Sequence, residues 1–134
     1  MYSKLKLDSY YFKIKSFYAF FIPLGVPYKE IYKITDKSKF KRREVHSPIL
    51  ESARMFGIGW IGVEIEKPTM VPDNVFNLKG EFEVYEHRGP YKTIGKAYKK
   101  IMKERPVARE FFNLYFDDPE KVLPEACRTQ ILFR

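Results

Sequence analysis

The sequence predicts an α+β fold in which two βαββ units form one antiparallel sheet, with two helices on one face and a central groove between them. Three observations carry this expectation. The pattern PYKEIYK from Pro27 returns as PYKTIGK from Pro90, 63 residues later and with five of seven positions identical. Each copy follows an aromatic and β-branched run closed by glycine, and each is followed by further strand-like segments. Repetition at about half the chain length marks an internal duplication, because one such unit cannot cover its own apolar faces and a second one can.

The elements follow in order. From Tyr11 to Ile22, Phe12, Ile14, Ser16, Tyr18, Phe20 and Ile22 alternate with Lys13 and Lys15 near the start, the period of a strand with one apolar face. Gly25 and Pro27 turn the chain into a helix over residues 27–39, since proline is tolerated in a first helical turn where its missing N–H has no partner to lose. Tyr28, Ile31 and Thr35 form its packing side, and Lys29, Lys33 and Lys37 its wet side. The block Ala53 to Glu66 carries Gly57, Gly59 and Gly62 among Ile, Val and Trp, which suits strands approached closely by another group. Residues 67–74, with Pro68 and Pro72, read as the loop between the units. The second unit then runs as a strand over 81–87, the turn RGP, and a helix over 90–103 whose stripe is Tyr91, Ile94, Tyr98, Ile101 and Met102. Two further strands are expected over 110–116 and 127–133. The units cover about 10–67 and 80–134 of a single domain spanning 1–134.

Composition bounds the function classes. The chain has 134 residues, 45% hydrophobic and 17% aromatic, enough for a packed core. Its net charge of +8 is spread over 25 basic and 17 acidic residues, so no specific nucleic-acid partner is expected, and the run KSKFKRR from Lys37 reads as a solvated surface. One cysteine, Cys127, allows no internal disulfide and fits a reducing, cytoplasmic setting. The segment from Phe17 to Val26 is too short to span a membrane, which takes about 20 apolar residues, and reads as buried strand. His46 and His87 lack ligand spacing, so no metal or other cofactor is expected. No Ser-His-Asp order or phosphate loop is present, and no catalytic residue is assigned.

The segments VYEHRGPYKTIGKAYKKI from Val84 and LYFDDPEKVLPEACRTQILF from Leu114 resemble the GyrI-like small-molecule-binding domain, a SOUL-like fold found in gyrase inhibitors and in effector-binding domains of multidrug regulators. YFDDPEKVLPEACR is most similar to the branch of bacterial relatives of the testis-expressed receptor for endoplasmic-reticulum autophagy. The resemblance implies a groove that accepts a small organic ligand. Many drug-binding members place a glutamate two residues before the tyrosine of this motif, and here Asn113 stands two residues before Tyr115. An amide cannot neutralise a buried cation, so neutral or anionic aromatics are expected unless Glu64 or Glu86 points inward or a slip in strand register brings Glu110 into that place.

The expected ligand-binding residues are therefore Trp60, Asn113, Tyr115, Glu64, Tyr18 and Tyr91. The expected function is non-enzymatic binding of a small apolar or aromatic molecule between the two units, as a stand-alone effector-binding or sensor protein. With no helix-turn-helix beside it, any regulation runs through a protein partner. The alternatives are a small-molecule hydrolase of the GyrI-like type, which needs a carboxylate within reach of Tyr115, and a protein-interaction module whose groove is filled by its own side chains.

Overall fold

The computed structural model describes residues 2–19, 48–52, 57–70, 74–117 and 122–134. Eight strands form one antiparallel sheet: β1 (Tyr2–Leu7), β2 (Tyr11–Ala19), β3 (Ile49–Ser52), β4 (Gly57–Glu64), β5 (Val75–Asn77), β6 (Gly80–Arg88), β7 (Phe111–Tyr115) and β8 (Arg128–Phe133). Their order across the sheet is β1-β6-β8-β7-β3-β4-β2-β5. One α-helix, α1 (Ile94–Glu104), is present among the described residues. This corrects the expected class: the described residues form an eight-stranded sheet with a single helix, and not two helices on one face of duplicated βαββ units. The helix expected over 27–39, the basic run from Lys37 and His46 lie outside the described residues.

Two strands are additional, β1 and β5, and β3 lies before the glycine-rich block in which strands are expected from Ala53 onward. β1 offers only Leu5 and Leu7 to one face and Tyr2 to the other, too little periodicity to stand out in sequence, yet it pairs along its whole length with β6 in the register Leu5↔Phe82 and Tyr2↔Tyr85. β5 is three residues long and pairs with β2, where Asn77 Oδ1 accepts the Tyr10 N–H at 2.9 Å. Length this short escapes pattern reading.

Alternation along the strands separates two cores. Ile49, Ile61, Val63, Tyr115, Ile131 and Phe133 face the side covered by α1, which buries Ile94, Ala97, Tyr98 and Ile101 against them at three- and four-residue spacing. Met102, expected in that stripe, is 42% exposed, because the turn past Ile101 carries it off the buried side and Ala97 takes a place in the stripe. Phe12, Leu50, Phe82, Val84, Phe112, Leu114 and Leu132 fill the opposite face.

The RGP turn sets the helix in place. Gly89 adopts φ +141°, a conformation that a side chain would strain, and its N–H donates to Cys127 O at 2.8 Å. Pro90 starts a single 3-10 turn over Tyr91–Thr93 before α1 begins. The Thr93 hydroxyl donates to Pro90 O at 2.6 Å, so its oxygen is left to accept from His87 Nε2, 2.9 Å away. His87 is thus a local tie of the turn. β6 and β7, connected through α1, run in the same direction with β8 antiparallel between them.

Candidate functional site

β3 and β7 pair at the centre of the sheet in the register Ile49↔Tyr115 and Glu51↔Asn113. Side chains two apart on a strand share a face, so Glu51, Asn113 and Tyr115 all project toward α1. From that helix Tyr98 comes down onto them. All four are buried, with Glu51, Asn113 and Tyr115 inaccessible to solvent.

Their hydrogen bonds form one network. Tyr115 donates its hydroxyl proton to Glu51 Oε1 at 2.7 Å, and Asn113 Nδ2 donates to the same oxygen at 2.8 Å. Asn113 Nδ2 also lies 3.3 Å from the Tyr115 hydroxyl oxygen, and the Tyr98 hydroxyl donates to Asn113 Oδ1. Glu51 Oε2 is buried and meets no hydrogen-bond partner among the described residues. Burial disfavours the charged form and pushes the Glu51 carboxyl from its ordinary 4.5 up to about 7, although the two donors on Oε1 pull it down. Tyr98 and Tyr115 are both driven well above their ordinary range, first by burial and then by the neighbouring carboxylate, so both stay protonated donors.

Two neighbours complete the surroundings. The Tyr91 ring meets that of Tyr115 edge to face at 4.8 Å between centroids. Its hydroxyl donates to Asp117 O and accepts the Asp117 N–H, while Asp117 Oδ2 accepts the Arg128 N–H at 2.7 Å. The Tyr-Phe-Asp part of the YFDDP motif therefore fixes the end of β7 against β8 and the helix turn. Thr129, across from Tyr115 on β8, has a buried hydroxyl oxygen with no partner among the described residues.

Of the six expected ligand residues, the structure brings Asn113, Tyr115 and Tyr91 together. Trp60 and Glu64 belong to the other face of the sheet. Trp60 packs there on Phe76 and Phe112, at 4.8 and 6.1 Å between centroids, beside a cavity of about 250 Å³ also lined by Ser52, Arg109 and Glu110. Glu64 is buried opposite Phe12 of β2. Tyr18 lies in β2 opposite Ile58, and its side chain is outside the described residues. Glu86 is exposed near Arg128, and Glu110 pairs with Arg134 at 2.7 Å, so neither supplies the missing carboxylate. A shallower cavity of about 590 Å³ lies along Lys4, Leu5, Glu81, Phe82 and Arg134 at the β1–β6 end of the sheet. Neither cavity is lined by Glu51.

Sequence reading missed Glu51. Asn113 is an amide, but the residue paired with it across the sheet is a buried carboxylate within hydrogen-bond reach, which removes the premise for preferring neutral or anionic ligands. The available signal was slight: an acid in the short run ILES, with Ile49 two places before it.

Among the described residues no group of three or more His, Cys, Asp or Glu side chains is placed to hold a metal, and no helix is long and apolar enough to cross a membrane. Cys127 is buried in the core under α1.

No family model and no curated relative matches the chain. Among solved structures it is similar to an uncharacterized conserved protein from Listeria innocua, at 15% identity and TM-score 0.61, over 99% of this chain and 91% of that one. It is also similar to a hydrolase from Listeria innocua, at 13% identity and TM-score 0.59, over 98% and 90% of the two chains. At identities this low, the likeness shows a shared fold alone.

Proposed function

We propose that the protein binds a small apolar or aromatic molecule on the α1 side of the sheet, with Glu51 as its polar anchor, in the manner of the GyrI-like domains that the RGPY and YFDDP segments resemble. The observation that carries this reading is the buried, unpartnered Oε2 of Glu51. A buried carboxylate with one oxygen left without a donor is costly unless it takes up a proton there or meets a donor or cation. A ligand carrying an N–H donor or a protonated nitrogen answers that need, with the rings of Tyr91, Tyr98 and Tyr115 as its apolar surroundings. Because Glu51 is inaccessible, binding displaces side chains that cover it.

A second reading is hydrolysis by general acid–base chemistry. It is favoured by a carboxyl held at about 7, where it exchanges protons readily at neutral pH, and by the Tyr115 hydroxyl 2.7 Å from it. One of the similar solved structures is named a hydrolase.

A thermal-shift panel of neutral aromatics and lipophilic amines, run at pH 5.5 and 8 on the parent and on Glu51→Gln, tests the proposal. A ligand that binds only the folded state raises the midpoint. Amines are expected to stabilise the parent more at pH 8 than at pH 5.5 and to lose that preference with Glu51→Gln. Equal shifts in both proteins across the panel contradict Glu51 as the anchor. Incubating each hit that carries a hydrolysable bond, and looking for products whose masses together exceed the ligand's by one water, separates hydrolysis from binding alone.

A further inference from the structure

The orientation of one buried amide decides which oxygen of Glu51 is offered to a ligand. A carboxamide has an accepting side and a donating side. Tyr98, held protonated by its burial, donates to Asn113 Oδ1, which turns Nδ2 toward Glu51 Oε1 at 2.8 Å and the Tyr115 hydroxyl at 3.3 Å. Tyr115 then has an N–H pointing at its oxygen, so its own proton goes to Glu51 Oε1 at 2.7 Å. Oε1 accepts two donors and has no room for a proton. Oε2 has none among the described residues and is the oxygen left to take one. With the amide reversed, Asn113 Oδ1 would face Oε1, and two acceptors in contact are relieved only by a proton placed between them.

We propose that Tyr98 is the positioning residue of this site: through Asn113 it commits Glu51 Oε1 to the protein and leaves Oε2 for the ligand. Its part that concerns ligands rests on Glu51 being the anchor, whereas the orientation itself does not. The groups that face Glu51 are Asn113 and Tyr115 from β7 and Tyr98 from α1, and of these Tyr98 is the one that bonds the amide and not the carboxyl.

The experiment uses the ligand-free protein. The Glu51 carboxyl carbon and the Asn113 side-chain amide are followed by NMR against pH, with Glu51→Gln identifying the carboxyl signal. In the parent, the Asn113 amide protons are expected to move in step with Glu51, because they donate to it. In Tyr98→Phe the amide loses its hold, its oxygen can turn to the carboxyl, and the Glu51 midpoint is expected to rise by about one pH unit, a tenfold change in acid strength. A substitution that only loosens packing lowers the melting temperature and leaves the midpoint where it was, which overturns the proposal. Should Tyr98→Phe fail to fold, the parent decides: Asn113 amide protons that ignore the Glu51 titration also overturn it. Failure of the ligand panel with these responses intact would defeat the proposed function and leave Tyr98's role standing.

Discussion

Tyr115 serves two neighbours with one hydroxyl, accepting from Asn113 and donating to Glu51. Tyr115→Phe keeps the ring contact with Tyr91 and deletes both bonds. A buried carboxyl that loses a donor, beside an amide that loses an acceptor, is expected to cost about 1–3 kcal/mol. The cost should be larger at pH 8, where Glu51 is ionised, than at pH 5, and urea denaturation at the two values reads it directly. The sequence singles out Asn113 and Tyr115 only through the resemblance of the segment from Leu114. It does not single out Glu51, since nothing along the chain distinguishes it from the other acidic residues until β3 is set beside β7. Trp60 shows the reverse case: its residue type suits a ligand surface, but strand parity puts it on the other face.

The glycines of β4 predict close approach by another element, and at Gly62 that element is β2. A Cβ on Gly62 would stand 3.1 Å from both Phe12 Cβ and Ile14 Cγ2 and 3.2 Å from Lys13 O. Two of these atoms are fixed by the backbone, so the strands themselves must give. Gly62→Ala is expected to destabilise by about 1–3 kcal/mol, as overpacking does, and the thermal midpoint measures it; an unchanged midpoint would show that β2 and β4 part easily. Elements with strong periodicity were legible: the strands at β2, β6, β7 and β8 and the helix after the RGP turn lie within a few residues of where the pattern put them. β1 and β5 were not, because one is mostly polar and the other three residues long. Met102 departs from the expectation because it and Ala97 lie on opposite edges of the helical stripe, and α1 buries the Ala97 edge.

The whole sheet creates the site by joining parts of the chain that are far apart in sequence. Periodicity identifies strands without naming their partners, so the expected pair of helices over two repeated units gives way to eight strands in one sheet, with β3 against β7 at its centre. That pairing buries an acid, and the burial has a consequence for stability. Glu51 is held at about 7 when folded against an ordinary 4.5, so between those values the folded protein keeps a proton that the unfolded chain has released. Its contribution to stability is complete below pH 4.5, falls as pH rises, and is gone above pH 7, with an upper bound of about 3 kcal/mol. Glu51→Gln, neutral throughout, lacks this loss. The most direct measurement is the unfolding free energy of the parent and of Glu51→Gln by urea denaturation from pH 5 to 8. The two curves are expected to diverge as pH rises, the parent losing about 1–3 kcal/mol relative to the variant; parallel curves over that range would mean that Glu51 titrates like an exposed carboxylate and is not the buried anchor on which the functional reading depends.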